Sequence, residues 1–346
     1  MCVLEQRFRH GRSGPSLRPF VVSAQVHSQG YSQPLQRAIT DFGADVPFAR
    51  VAGKLKEHYG IEVPVSTARQ ITQQHGEACL KSQSLETQIP NRSGVPWVVA
   101  QLDGCMIPIV TTAEAEGKAG RDRRKTRDLQ WREARLALAH PLGSVTPVFG
   151  ATLGSVEQAG QHWAHCVVRA GAGRQSRIHC VGDGASWIVE QMEQRLGTQA
   201  HYLIDFSHLS EYLSAAAQRC APTDQAAWLE QQQKRLKANQ SDAVLDALAP
   251  FWERGKSAPD ETPVQACYRY IDNRPGQFDY QAALAAGLPI GSGEVESAHR
   301  YVIQDRLKIA GAWWKEANAE KMLALRTLRA NNDWEAYWQN RPSKAA

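Results

Sequence analysis

The chain has 346 residues, room for two or three domains of ordinary size. Hydrophobic residues make up 42%, as in a globular protein with a sizeable core, and no apolar run reaches the roughly 18 residues that a membrane span needs. The net charge is +5, a weak pointer to nucleic acid that its clustering strengthens.

The opening MCVLEQRFRHGRSG has too short an apolar run for a signal peptide, so the chain is expected to stay in the cytoplasm. Seven cysteines are scattered without a CxxC pair, which argues against a structural zinc site and fits reduced thiols. Residues 1–30 read as a basic flexible arm, with Arg7, Arg9, Arg12 and Arg18 against the single acid Glu5.

Residues 31–80 carry helical signals. A first helix starts at Pro34 and ends near Gly43. A second runs from Phe48 to Tyr59, with Val51, Leu55 and Tyr59 on one face and Gly60 as its C-cap. Ser66 is a suitable N-cap for a third, whose outer side carries Thr67, Arg69, Gln70, Gln73 and Gln74. Amide and guanidinium groups match the donors and acceptors of base edges in the major groove. The segment therefore reads as a helix-turn-helix, with Arg69, Gln70 and Gln73 as DNA contacts; an ordinary three-helix bundle is the alternative.

Residues 81–94 form a linker. The chain then turns β-like: Val95–Asp103 and Cys105–Thr112 are expected as two strands with Gly104 between them, followed by strands over 133–140 and 146–153. The basic run Arg121, Arg123, Arg124, Lys125 and Arg127 falls between these strands, and reads either as a phosphate-contacting surface or as a solvated loop. A helix over 155–169 holds His162 and His165 one turn apart, more simply polar helix positions than metal ligands. A short strand 177–181, a helix with Trp187, Ile188, Met192 and Leu196, and a strand 200–206 complete an alternating pattern that indicates a mixed sheet. Residues 209–286 are nearly all helical, and a last helical stretch is expected from about Glu294 past Arg329.

Three acids stand out. Asp103 and Asp183 each end an apolar strand beside glycine, where a carboxylate projects into the crevice at the strand ends; Asp-Gly is also a common turn. The third lies in LPIGSGEVESAHR, residues 288–300, which holds Glu294 and Glu296. Glu294 falls in a first helical turn and suits the helix dipole. Glu296 shares a polar face with His299 and Arg300, the latter placed to meet a phosphate. Three hard oxygen ligands suit Mg²⁺, and two such ions can act together on a phosphodiester.

VGDGASWI, LIDFSHLSEYL and LPIGSGEVESAHR with RLKIAGAWW resemble the DDE transposases of bacterial insertion sequences, the ISKra-type group, over roughly residues 30–340. The resemblance implies an α/β fold: a ribonuclease H-like mixed-sheet catalytic core in 95–208, an all-helical insertion in 209–286, closing catalytic and C-terminal helices in 287–340, and the N-terminal helix-turn-helix. It implies Asp103, Asp183 and Glu296 as catalytic residues and ligands of two Mg²⁺ ions, with Mn²⁺ as a substitute. Asp205 and His208 look like an accessory D-x-x-H element. Implied partners are double-stranded DNA, as element ends and as target, and further copies of the chain on DNA, with no membrane and with the nucleoid as location. A nuclease that does not rejoin strands, and a DNA-binding descendant with a silent site, are the rival readings. Trp313 and Trp314 stack on a splayed base or pack in the core. The group's cysteine-containing N-terminal segment has no paired cysteines here, so an abrupt start, from a fragment or a misplaced start codon, is expected.

Overall fold

The computed structural model describes residues 6–11, 16–23, 26–27, 30–112, 127–252 and 262–340. In chain order the elements are β1 Phe8–Arg9, β2 Ser16–Leu17, α1 Pro19–Ser23, β3 Val26–His27, β4 Tyr31–Ser32, α2 Gln33–Asp45, α3 Phe48–Tyr59, α4 Val65–Ser82, β5 Trp97–Thr112, β6 Arg127–Pro141, β7 Val148–Thr152, α5 Val156–Arg169, β8 Arg177–Gly182, α6 Ser186–Leu196 and β9 Ala200–Ile204. Helices follow: α7 Phe206–Cys220, α8 Gln225–Lys237, α9 Ser241–Leu248, α10 Pro263–Asp272, α11 Tyr280–Ala285, α12 Gly293–Ala298, α13 Asp305–Leu307, α14 Glu316–Ala330 and α15 Trp334–Gln339. A π-helical stretch, His299–Gln304, lies between α12 and α13. No described helix is long and apolar enough to cross a membrane.

The chain divides into two compact units: Met1–Ser84 with Met106–Glu133 and Arg300–Ala346, and Leu85–Cys105 with Ala134–His299. In the first, α2, α3 and α4 enclose Ile39, Val51, Leu55, Val63, Ala68 and Ile71. Gly60 caps α3 in the left-handed region at φ 65°. Helix α4 begins at Val65 behind Pro64, so Ser66 lies inside it rather than at its cap. Proline pre-sets the φ that a helix start needs, and no side-chain cap is used there. Gly76 of α4 meets the Lys321 backbone so closely that a Cβ would sit 2.6 Å from its carbonyl oxygen. Arg326 and Arg329 of α14 pair with Asp45, the last residue of α2. Arg306 is buried between Phe48 and Trp314, its guanidinium 4.8 Å from each ring centroid, and donates to Gly43 O.

The expected helix from Glu294 past Arg329 is interrupted after Leu307. Gly311 takes φ 76°, and Trp314 pairs as an extended residue with Ile109 of β5, Val110 N–H donating to its carbonyl at 2.7 Å. Trp314 is buried and Trp313 exposed, so the two tryptophans face opposite surroundings.

The second unit is built on the sheet, whose strand order is β7-β6-β5-β8-β9. Strands β5, β8 and β9 are mutually parallel, and β6 and β7 antiparallel. Leu142 N–H donates to Trp97 O, so the end of β6 meets the start of β5 and these two run opposed. Gly104 is no turn: the two expected strands around it are one strand, β5, because Gly104 keeps an extended backbone. One face of the sheet carries Val98, Ala100 and Leu102 with Ile178 and Cys180, packed against Trp163 of α5 and Ile188 of α6. The two-residue period puts Gln101 and Asp103, with His179, on the other face. Ser155 and Thr262 begin α5 and α10 through reciprocal capping bonds with Gln158 and Gln265.

Candidate functional site

Strand register sets the site. Gln101 pairs with Val181, and the same register carried on two residues puts Asp103 opposite Asp183. Gly182 pairs with Ile204, and one further step puts Asp183 opposite Asp205. Three aspartates therefore stand at one level on three neighbouring parallel strands roughly 4.8 Å apart, Asp183 and Asp205 just past the ends of β8 and β9 and Asp103 inside β5, which runs on beyond them.

Their surroundings differ. Asp103 Oδ2 lies 3.1 Å from His299 Nε2, a contact off the hydrogen-bonding direction and so chiefly ionic. Burial disfavours a charged ring at His299, but Asp103 and Cys105 outweigh it and raise its pKa to about 9. Asp183 follows β8 and accepts from Ala185 N–H through Oδ1 at 2.9 Å, a local turn that leaves Oδ2 without a bond among the described residues. Asp205 is buried and caps α7, its Oδ1 accepting from Ser207 N–H at 2.5 Å and His208 N–H at 3.0 Å. Its Oδ2 accepts from both the amide and the hydroxyl of Ser292.

The segment 289–299 is fastened onto the polar face of the sheet. His179 Nε2 bonds Pro289 O at 2.8 Å, and Phe206 N–H donates to Ile290 O at 2.9 Å. Asp205 holds Ser292, and Gln101 Oε1 accepts from Val295 N–H at 2.9 Å. His140 Nε2 lies 2.7 Å from Glu294 Oε2, and its pKa is raised because that hydrogen bond outweighs burial. With residues on either side engaged, Glu296 is exposed and makes no side-chain hydrogen bond or ion pair among the described residues. Partial desolvation of its carboxyl against neighbouring residues, then the negative charge of Asp205, Asp103 and Glu211, raises its pKa, against a smaller lowering by His208. Among the described residues no three histidines, cysteines or acids converge closely enough to hold a metal ion.

The sequence holds no sign of His140 or Gln101, and it places His299 only on the polar face of Glu296 and Ser292 only at the helix entry; the partner of each is one that only the fold brings near. His208 is half-exposed, 3.8 Å from Glu211 and edge-on to the Tyr212 and Tyr270 rings. Of the expected DNA contacts, Arg69 and Gln70 are exposed on α4 and Gln73 is half-buried. Arg127 lies over the exposed Trp313 ring at 5.6 Å, and Arg300 is exposed. Arg121, Arg123, Arg124 and Lys125, like Arg12 of the arm, lie outside the described residues.

No curated protein matches the chain. Residues 171–340 match the model of an uncharacterised protein family (UPF0236), a span that takes in Asp183, Asp205 and Glu296 and leaves out Asp103.

Proposed function

We propose that the chain is a DDE transposase of the ISKra-type group, which binds the terminal inverted repeats of an insertion sequence, cuts DNA and joins the freed 3′ ends to target DNA. One observation carries the reading: Asp103 and Asp183 stand level on adjacent parallel strands, while Glu296, without a side-chain partner among the described residues, lies on a segment fastened to those strands. The sheet order, with β5 central, β6 and β7 on one side and β8 and β9 parallel to it on the other, supports a ribonuclease H-like core. The exposed Arg69 and Gln70 on α4, behind the Gly60 turn, support a helix-turn-helix.

Three carboxylates are the donor type that a hard divalent cation takes, and since no such set converges among the described residues, Glu296 would have to swing in to complete it. Partial burial and then the charge of Asp205, Asp103 and Glu211 raise the pKa of Glu296, and a cation would relieve that charge. Asp103, Asp183 and Glu296 would hold Mg²⁺, or Mn²⁺ in its place, and the free side chain of Glu296 gives the reach to close the set. Two ions bound there would supply charge stabilisation to phosphoryl transfer between DNA strands. The protein's own part is positional: His299 neutralises Asp103, Asp205 fixes the turn before α12, and His140 keeps Glu294 away from the ligand set. Arg300 and the basic residues around Arg127 would bind phosphates without reading sequence, and further copies of the chain would assemble on DNA.

The His299–Asp103 ion pair favours one second reading, a transposase-derived DNA-binding protein with a silent site. Purified protein incubated with its own element ends and Mg²⁺ decides between them. Cuts mapped at the end boundaries and joined product in a target plasmid support transposition; bound but uncut ends support the second reading. Cut ends never joined to target indicate a nuclease.

A further inference from the structure

The turn that carries Asp183 is held from outside the sheet. Gly184 takes φ 77°, a conformation open to glycine, and a Cβ there would run into Ile204 and Arg274. Its N–H donates to Tyr202 Oη at 3.1 Å. The carbonyls of the turn point to other partners: Tyr270 OH donates to Asp183 O at 2.5 Å, and Arg274 Nε–H donates to Gly184 O at 3.0 Å. Both donors come from α10 and the turn behind it, in the helical segment that follows β9.

These donors are themselves fixed. Arg274 Nη1 donates to Tyr270 O at 3.1 Å, and the guanidinium lies 4.1 Å from the Tyr270 ring centroid. Tyr270 stacks on Tyr212 of α7 at 4.4 Å, with the rings 20° apart.

We propose that Tyr270 and Arg274 are positioning residues for Asp183: the helical segment, through the carbonyls of Asp183 and Gly184, sets the direction of the second acid. The proposal rests on the reading of Asp183 as a metal ligand. The carboxylate has one oxygen tied to its own turn and one open, so the peptide planes of that turn decide where the open oxygen points. A ligand serves a metal only within narrow distance limits, and loss of an outer partner of a ligand typically lowers metal affinity about 10- to 100-fold. A segment that served only to grip DNA would leave metal affinity untouched.

The test uses the full chain and Mn²⁺ alone, with free Mn²⁺ read by electron paramagnetic resonance. Tyr270→Phe removes one hydroxyl and Arg274→Gln one guanidinium; Asp183→Asn is the reference. Amide exchange by mass spectrometry over residues 183–185 reports the turn itself. The expected result is about a tenfold weaker Mn²⁺ affinity in both variants, with faster exchange at the turn and unchanged circular dichroism. Weak binding by Asp183→Asn beside affinity within about twofold of the parent in Tyr270→Phe overturns the positioning role alone, whether or not Arg274→Gln folds. Parent-like Mn²⁺ binding by Asp183→Asn removes the metal-site reading, and this proposal with it.

Discussion

Asp205 accepts both the amide and the hydroxyl of Ser292, which joins the end of β9 to the turn that leads into α12. Its other oxygen caps α7. One buried carboxylate thus serves four donors and ties two elements that are 87 residues apart in sequence. Removing it leaves buried donors without partners and takes away a helix cap. Asp205→Ala is expected to lower stability by roughly 2 to 4 kcal/mol, and Ser292→Ala by about 1 kcal/mol, in urea unfolding. An Asp205→Ala protein as stable as the parent would show that the clamp carries little.

Asp103 and Asp183 are expected to be required for cutting and dispensable for binding. Asp→Asn keeps shape and removes the charge that a divalent ion needs. Each single variant should lose cutting of element ends while gel shifts stay within about twofold of the parent, because the base and phosphate contacts proposed above lie on other residues. Full cleavage by either variant with Mg²⁺ would remove it from the ligand set.

The aspartates could be picked out in the sequence because an apolar strand followed by Asp is a local pattern; β8 and β9 end in it, and β5 carries it within its length. That the three acids share one level was not legible, since register is a property of paired strands. Gly104 misled for a physical reason: Asp-Gly favours turns, yet an extended glycine fits inside a strand whose neighbour continues past it. The break after Leu307 was hidden because IAGAWWKEANAE has helical composition. What ends the helix is the pairing of Trp314 with Ile109, a contact 205 residues away in sequence that no window over 294–329 contains.

DNA recognition is expected to depend on α4 in the full chain. Arg69→Ala with Gln73→Ala should weaken binding to element ends more than to random DNA, each good base contact contributing about 1 to 3 kcal/mol of discrimination. The full chain is the proper subject, because α4 packs through Gly76 and Glu77 on Lys321, and the fragment 31–80 alone would bare that face. Equal losses on both DNAs in competition gel shifts would make these residues phosphate contacts.

The His140–Glu294 pair gives a pH signature in stability. The pKa of His140 is raised in the folded chain, so the pair contributes fully below the unfolded histidine value of about 6.5 and fades as pH rises through the folded value. Glu294 is half-exposed, which limits the contribution to about 1 kcal/mol. The stability difference between the parent and Glu294→Gln should therefore be largest near pH 6 and shrink toward high pH, as followed by urea unfolding. A difference that grows with pH would mean that the ring is neutral in the folded protein.

Glu294 and Glu296 lie two residues apart, and the structure gives them different occupations. Glu294 is tied to a buried histidine at 2.7 Å, whereas the helix dipole does not separate the two, because both acids fall in the first turn of α12 and not Glu294 alone as expected. Glu296 has no side-chain partner among the described residues, and its pKa is raised by partial burial and then by Asp205 and Asp103. A raised carboxyl pKa stores unfavourable charge that a divalent ion removes, so the acid without a protein partner is the better ligand. Glu294→Gln keeps a hydrogen-bonding side chain beside His140 and should retain most cutting activity, within about threefold of the parent. Glu296→Gln should retain almost none, a loss on the order of 100-fold or more, while both bind element ends like the parent. Activity would recover partly in Glu296→Asp at raised Mn²⁺ if the carboxylate is a ligand, since the donor is kept and only its reach is shortened. Loss of cutting in Glu294→Gln with activity kept in Glu296→Gln would assign the ligand to Glu294, and the ion pair with His140 would then be a resting contact that the metal displaces.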